Sequence, residues 1–227
     1  MIVNDVVWVA FWLLFFHKVG ALRGWDTRRL MLLLAILTTS AGFVLGMLSN
    51  ARRIGRLAAD GDLDAVLALP VPPLAYLLVR RIDATNLGDL AFGLVLFAVA
   101  GHPTLERTGI YLGGSLVAVI LLTGFLVVTG SSAFFVGRGE AGELGFQAML
   151  MFAMYPADVF TGPARALLYT VIPAAFIGAV PARLMTSWDP AVALGAVGAA
   201  AAFASAAWVL FYRGLHRYTS GAVWTRA

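Results

Sequence analysis

The sequence predicts an all-α membrane protein that crosses the bilayer about six times. Of its 227 residues, 61% are hydrophobic and only 12% are charged, whereas about a quarter of the residues in an ordinary soluble domain are charged. The mean hydropathy is +0.88. Because a helical span needs roughly 20 apolar residues, this length allows about six spans with short loops and excludes a separate soluble catalytic domain. We expect residues 1–227 to form a single transmembrane domain.

Composition excludes several classes of chemistry. The chain has no cysteine, which excludes disulfides, thiol catalysis and cysteine-ligated metal centres. The 16 basic residues outnumber the 12 acidic ones, but they are scattered over loops, so no nucleic-acid surface is predicted. Lys18 is the only lysine and follows no glycine-rich loop, so the chain is not expected to be a P-loop ATPase itself.

The first two apolar runs are predicted to be membrane helices. The run Ile2–Phe16 is rather short for a span, and no basic region precedes it, so it is interpreted as a retained helix and not a signal peptide. The second run, Leu30–Leu48, contains Gly42-x-x-x-Gly46. This spacing of small residues allows a neighbouring helix to approach closely.

The next two runs follow the longest polar break in the chain. We predict a third span over Leu87–Ala100 and a fourth over Ile110–Val136. The fourth run exceeds the minimum length, so it is expected to tilt or to bend near Gly130 and Ser132. Asp89, at the start of the third span, is the acidic residue nearest to the hydrocarbon, and we interpret it as interfacial, with a proton-relay role as the alternative.

Prolines interrupt the fifth apolar region. Leu144–Tyr155 is too short to cross the membrane before Pro156, and Pro173 and Pro181 follow. We therefore predict that Leu144–Leu184 forms one crossing plus a re-entrant hairpin, whose irregular backbone must be satisfied by protein or water. The last span is predicted over Ala191–Tyr212.

Sidedness follows from the basic residues. With six crossings both termini share a side, and placing the Arg52–Arg81 loop and the C-terminus inside gives nine basic residues inside against seven outside. We therefore expect the longest polar loop to be cytoplasmic. The sequence shows no internal repeat of the kind found in many secondary transporters.

That loop is predicted to contain a short amphipathic helix between Gly61 and Pro70. Asp60 or Asp62 is expected to cap it, Leu63, Val66 and Leu67 share one face at helical spacing, and Pro70 ends it. Its length is too small to span lipid, so it either lies on the membrane surface or binds a partner protein. Asp60-x-Asp62-x-Asp64 begins like a calcium loop, but Ala65 and Val71 occupy positions where that loop needs glycine and an acid.

One further glycine pattern is interpreted as structural. Gly137-x-Gly139-x-x-Gly142 matches a dinucleotide-binding fingerprint in its letters. However, it follows a membrane helix and not a strand, so we predict a flexible turn.

The segment from Arg56 to Pro70 resembles the permease subunits of ABC-2 type exporters, in particular a short-chain family with a basic-x-x-G-x-LD-x-x-L-x-x-P signature. Further matches occur in the same order along nearly the whole chain: Gly24-Trp25, Tyr155-Pro156, Ile172-Pro173, Val180-Pro181-Ala182 and Leu215-His216-Arg217-Tyr218-Thr219-Ser220. The family also has a cytoplasmic amphipathic segment and a longer first helix ahead of the position of Ile2, so by this comparison the chain looks short at its N-terminus.

The resemblance implies a function and a set of site residues. It implies a half-transporter of the plasma or inner membrane that pairs with a second permease subunit, as a homodimer or a paralogous heterodimer. Each half would dock on a cytoplasmic ATPase subunit that binds ATP and magnesium, so the resemblance implies that this chain holds no cofactor and is not an enzyme. The residues implied for coupling to the ATPase are Gly61, Leu63, Asp64, Val66, Leu67 and Pro70, and those implied for the outward re-entrant region are Tyr155, Pro156, Pro173 and Pro181.

Other functions stay open at this point. An integral membrane enzyme would use the Asp60-x-Asp62-x-Asp64 carboxylates with a metal on a lipid head group. An ion-coupled carrier would use Asp89, and a membrane scaffold would need packing surfaces alone. The apolar spans are compatible with drugs, lipids or lipid-linked sugars as substrate, and the direction of transport, export, comes from the resemblance.

Overall fold

Helices make up most of the described backbone. The computed structural model describes residues 2–137 and 139–218. Its α-helices are α1 (Ile2–Val19), α2 (Thr27–Met47), α3 (Ile54–Ala59), α4 (Asp64–Leu67), α5 (Pro73–Val79), α6 (Leu87–Ala100), α7 (Leu105–Ser131), α8 (Ala133–Val136), α9 (Ala141–Ala153), α10 (Gly162–Thr170), α11 (Ala174–Ile177), α12 (Ala179–Thr186) and α13 (Pro190–Leu215). Three short 3-10 helices cover Ala51–Arg53, Ala84–Asn86 and Ala157–Val159. The all-α prediction is confirmed.

Three helices in the described ranges are long and apolar enough to cross a membrane. They are α2, the continuous pair α7 and α8 (Leu105–Val136), and α13. A fourth crossing results if α5 and the helices over 84–100, which meet at 67°, are counted as one broken span. The predicted six crossings would also require α1, with 18 residues, and α9, with 13. The number six therefore stays a prediction.

The long helices begin where the sequence supplies a capping side chain. Asp26 accepts a hydrogen bond from the Arg29 backbone N–H at 2.8 Å before α2. Thr104 does the same for Arg107 at 3.2 Å before α7, and Asp189 accepts from Ala191 at 2.9 Å before α13. Each side chain satisfies one of the N–H groups that the first helical turn leaves without a partner.

α2 lies at the centre of the bundle and α6 packs closely against it. Most of α2 is buried, including the run from Leu30 to Leu37. A Cβ atom added at Gly42 would lie 2.9 Å from the Cα of Leu90, and one added at Gly46 would meet the side chain of Leu87. The close approach predicted from Gly42-x-x-x-Gly46 is thus confirmed, since only glycine fits between these backbones.

The connections gather at two ends of the bundle. At the first, the Trp25 end, the guanidinium of Arg28 donates to the carbonyls of Ala100 and Gly101 at 3.2 and 3.3 Å. These hydrogen bonds join the first turn of α2 to the end of α6. At the second, the Ile54 end, a Cβ on Gly55 would lie 2.8 Å from the Gly139 carbonyl oxygen. α2 runs from the Trp25 end to the Ile54 end.

The fifth region starts at one end and finishes at the other. A Cβ on Gly142, at the start of α9, would lie 2.9 Å from the carbonyl oxygen of Arg52 at the Ile54 end. The chain then turns through α10 and α11, and α12 leads to Ser187 and the cap of α13 at the Trp25 end. This course is the one expected of a single crossing with a folded-back hairpin, and the crossing itself stays a prediction.

Candidate functional site

The segment between Gly61 and Pro70 is built differently from the predicted helix. Gly61 has φ of +81° and follows α3, and the Asp62 N–H donates to the carbonyl of Leu57 at 3.0 Å while the Asp60 N–H donates to that of Arg56 at 2.8 Å. This is the Schellman arrangement that ends a helix at a left-handed glycine. The prediction that Asp60 or Asp62 caps the amphipathic helix is therefore wrong, because both belong to the end of α3.

The helix itself is one turn long, α4, and its apolar residues divide between core and surface. Leu63 and Val66 are each only 2% exposed, whereas Leu67 is 39% exposed. The predicted single face of Leu63, Val66 and Leu67 is thus wrong in part, because one turn places Leu67 on the outer side. The buried pair packs with Ile54, Leu74, Leu77, Val127, Ala207 and Phe211.

Three exposed apolar side chains follow the buried pair. Leu67, Leu69 and Val71 are 37–40% exposed, and we call them the apolar tip. Pro70 lies between Leu69 and Val71, where the Val71 N–H donates to the carbonyl of Leu69 at 2.9 Å. The segment thus has a packed base and an outward apolar surface.

Asp64, at the start of α4, interacts with the end of the chain. Burial, and then the adjacent carboxylate of Asp64, raise the pKa of Tyr218 to about 12. Tyr218 also packs edge-on against Phe134, with ring centroids 6.3 Å apart. The segment after α13 therefore packs against the start of α4. Thr219 and Ser220, which complete the predicted motif, lie outside the described residues.

Glycines hold the neighbouring turn against the same region. A Cβ on Gly139 would lie 2.8 Å from the Cα of Arg56, and Gly137 has φ of +74° at the end of α8. Arg52 lies 3.9 Å from Glu143 across this contact. The Gly137-x-Gly139-x-x-Gly142 pattern therefore lets two backbones touch, a function that the sequence pattern alone does not indicate.

The structure does not gather a metal site around the three aspartates. Asp60 and Asp62 end α3 while Asp64 begins α4 beside Tyr218. Within residues 2–137 and 139–218, no group of three or more histidine, aspartate or glutamate side chains is arranged to hold a metal ion.

In the re-entrant region, Tyr155 and Pro156 join the end of α9 to α1. The Tyr155 ring packs edge-on against Trp8 and Trp12, at centroid distances of 6.3 and 5.8 Å. Pro156 is buried, and the short 3-10 helix Ala157–Val159 follows it directly. The predicted interruption after Tyr155 is confirmed.

Pro173 and Pro181 have different roles in the hairpin. Pro173 precedes α11, which is buried, and the chain breaks again at Gly178 beside Leu33 of α2. Pro181 lies inside α12, in the first turn, where a missing N–H removes no helical hydrogen bond. A Cβ on Gly114 of α7 would lie 2.8 Å from Pro181. Pro181 thus packs α12 against α7 and does not interrupt the helix.

Asp89 is more enclosed than its predicted interfacial position. It is 8% exposed, and its carboxyl group lies within hydrogen-bonding reach of that of Asp5 on α1. One carboxyl oxygen of each residue is buried without a hydrogen-bond partner in the described part of the chain. The proximity of Asp5 could not be foreseen, because 84 residues separate the two positions.

The two predicted sets of site residues thus lie apart. The residues predicted to couple to the ATPase lie at the Ile54 end. The residues of the predicted re-entrant hairpin begin at Tyr155 and continue toward the Trp25 end. The residues that pack against each set, among them Ile54, Phe211 and Gly114, were not predicted from the sequence. No local signal marks them, since they belong to ordinary apolar runs.

Comparison with known proteins gives one match. The family model described as ABC-2 family transporter protein matches residues 2–222, which is nearly the whole chain. No curated protein and no solved structure matches the chain.

Proposed function

The chain belongs to the ABC-2 family of transporter proteins, and we propose that it forms the translocation path of an exporter for a hydrophobic or amphipathic substrate. As a member, it is an integral membrane protein and the permease component of an ABC transporter, a family of transport components and not of enzymes. ABC-2 permeases generally work with an ATPase subunit. We further propose a separate cytoplasmic ATPase dimer that binds ATP and magnesium, a second permease subunit, and the plasma or inner membrane as the location.

The observation that carries the coupling proposal is the apolar tip. Leu67 and Leu69 are 39% and 40% exposed, although Leu63 and Val66 directly before them are buried. Fully burying a leucine side chain is worth about 1.5–3 kcal/mol, so leaving the tip exposed in the free subunit costs stability that a partner would recover. A partner groove that covers Leu67 and Leu69 is the proposed ATPase contact.

The charges around the tip support its placement in the cytoplasm. Arg52, Arg53, Arg56, Arg80 and Arg81 flank the segment in sequence, and basic residues near span ends favour the cytoplasmic side. The Ile54 end would then face the ATPase and the Trp25 end the outside.

The experiment compares Leu67→Arg with Leu105→Arg. Leu67→Arg places an unpaired charge in a contact that the partner desolvates, which costs on the order of a few kcal/mol of association. Leu105 is 95% exposed at the opposite end, so the same change there is the matched control. Both variants should insert normally, because neither residue belongs to a buried helix face.

The readout is recovery of the proposed ATPase subunit with the tagged chain at matched membrane levels. We expect Leu67→Arg to lower ATPase recovery, transport and substrate-stimulated hydrolysis together by at least tenfold, while Leu105→Arg changes none of them. The isolated chain should hydrolyse no ATP. Normal recovery and transport with Leu67→Arg would refute the proposed contact.

A second candidate function, an ion-coupled carrier, is favoured by the carboxyl groups of Asp5 and Asp89. Paired acids inside a membrane protein are typical of proton pathways. Asp89→Asn keeps the shape of the side chain and removes its charge. Loss of transport with Asp89→Asn, combined with normal ATPase recovery and transport with Leu67→Arg, would make the carrier the better proposal.

A further inference from the structure

A basic cleft opens at the Trp25 end of the molecule. Its volume is about 260 Å³. The side chains that line it come from the turn before α2, the start of α2, the hairpin and α12: Arg23, Trp25, Arg29, Asp158, Arg165 and Arg183. We call this the arginine cleft.

Among the described residues, Asp158 is the only carboxylate that lines the arginine cleft, and three neighbours fix it. The indole N–H of Trp25, a residue only 2% exposed, donates to Asp158 Oδ2 at 3.0 Å. Arg165 donates to Asp158 Oδ1 at 3.0 Å, and a nitrogen of Arg183 lies 3.7 Å from the same oxygen. The carboxylate therefore serves as a buttress that positions Arg165 and Arg183, and both of its oxygens are occupied.

The other two arginines are anchored on backbone carbonyls. Arg23 donates to the carbonyls of Asp158 and Val159 at 3.0 and 3.2 Å, and Arg29 donates to that of Gly24 at 2.6 Å. Arg23 itself has φ of +49°, a conformation that costs energy for a side chain other than glycine. Such strain persists where the surroundings enforce it, often at binding sites.

The cleft has a surplus of positive charge and of donors. Four guanidinium groups face one carboxylate, which leaves a net charge of three positive units around a small volume. Each guanidinium has five N–H donors, and those named above use one or two per residue. Guanidinium pairs match the oxygens of phosphate in bidentate geometry, which makes this arrangement suited to a tetrahedral oxyanion.

We propose that the arginine cleft binds the phosphate or phosphodiester head group of an anionic amphipath. The same helix, α12, also lines an apolar cavity of about 360 Å³ through Pro181 and Leu184, together with Gly114 and Trp188. A head group in the cleft therefore has space for an apolar chain close by. Identification of the bound amphipath with the transported substrate rests on the proposed function, whereas binding itself does not.

The test uses the purified full chain in a neutral detergent, without any ATPase. Native mass spectrometry counts bound lipid during titration with phosphatidylglycerol or with phosphatidylcholine, and inorganic phosphate is added as a competitor in a separate arm. We expect saturable binding of one phosphatidylglycerol, at least tenfold tighter than phosphatidylcholine. If millimolar inorganic phosphate competes with the lipid, the phosphate group alone is recognised. If it does not compete, the whole lipid is required. Each result keeps the cleft as the site and decides the source of the ligand.

Variants connect the binding to the cleft. Arg183→Gln should weaken phosphatidylglycerol binding about tenfold, since one charge-assisted contact is lost. Arg107→Gln is the matched control, because Arg107 is exposed at the same end and donates to the His102 carbonyl outside the cleft. Arg183→Lys keeps the positive charge but loses the paired N–H donors, so it should weaken binding less than Arg183→Gln does.

Two results would overturn the proposal: unchanged binding with Arg183→Gln, or an equal loss with Arg107→Gln. Each would mean that general surface charge, and not the cleft, attracts the lipid. Because no ATPase takes part, failure here leaves the Leu67→Arg experiment untouched, and the reverse also holds.

Discussion

The close approach of α2 and α6 predicts that a glycine-to-alanine substitution lowers stability at Gly42 but not at Gly113. In Gly42→Ala, the new Cβ would lie 2.9 Å from both the Asp89 carbonyl carbon and the Leu90 Cα. These are backbone atoms, which cannot rotate away as a side chain does. In Gly113→Ala the new Cβ meets nothing within 4 Å, although both residues lie inside long helices.

The magnitude follows from the distances. The Leu90 backbone N lies nearer still, and ordinary contact begins near 3.4 Å. α2 and α6 would therefore have to separate by about 1 Å, and a gap of that size forfeits about half of each van der Waals contact. Gly93 on α6, which touches Thr39 and Ala35 of α2, would lose its contacts as well. Overpacking of this kind costs about 1–3 kcal/mol, more than the ~1 kcal/mol that alanine gains over glycine in a helix.

The assay is thermal unfolding of the purified chain in one detergent, followed by near-UV circular dichroism. The overpacking cost of about 1–3 kcal/mol, less the ~1 kcal/mol that alanine gains over glycine, leaves a net loss of up to about 2 kcal/mol. At about 2–4 °C per kcal/mol for a chain of this size, Gly42→Ala should lower Tm by up to roughly 8 °C. Gly113→Ala should leave Tm unchanged or raise it by a few degrees. If Gly42→Ala is at least as stable as the parent, the backbone contact between α2 and α6 does not exist and the reasoning fails.

Two further predictions concern the Ile54 end and the hairpin. The pKa of Tyr218, about 12, lies above the usual 10. The protonated Tyr218 hydroxyl therefore contributes fully to the free energy of unfolding below pH 10, and this contribution is lost as the pH rises from about 10 to 12. The difference in Tm between the parent and Tyr218→Phe should therefore shrink over that range, and a difference that stays constant would show that the hydroxyl is not held beside Asp64. For the hairpin, Glu140→Cys and Ser187→Cys each give a single thiol in this cysteine-free chain. An impermeant maleimide should label the two from opposite sides of oriented vesicles, whereas labelling from the same side contradicts a single crossing.

The sequence predicted best those elements whose signals are local. The bounds of α6 are Leu87–Ala100, as expected from a short apolar run between polar neighbours. Gly42 and Gly46 indicated a close helix contact because only small residues permit one. The breaks after Tyr155 and before Ala174 follow from Pro156 and Pro173, which remove backbone donors wherever they stand.

The amphipathic segment was predicted less well because two signals in it compete. Leu63, Val66 and Leu67 have helical spacing, but Gly61 directly before them is a strong helix-ending residue. The chain follows the glycine: α3 ends there and α4 has a single turn. Apolar α5, Pro73–Val79, was hidden in the polar break because three prolines precede its core residues Leu74 and Leu77.

The arginine cleft could not be predicted at all. Arg23 and Arg29 are close in sequence, but Asp158, Arg165 and Arg183 are more than 120 residues away and join them only through the fold of the hairpin. Scattered arginines in loops are the ordinary composition of a membrane protein, so their pattern contains no sign of a common site.

The packing also joins the two ends of the molecule through one rigid helix. Leu63 and Val66, at the base of the apolar tip, pack in the same cluster as Val127 of α7. α7 continues without a break to Gly114, about 20 Å away at 1.5 Å per residue. There it touches Pro181 of α12, two residues before Arg183 in the arginine cleft. Under the proposed function, α7 is therefore the continuous helix through which a shift of the tip against an ATPase would reach the contact with α12. The contacts at Val127 and Gly114 are therefore the places where docking at one end would alter the arginine cleft at the other.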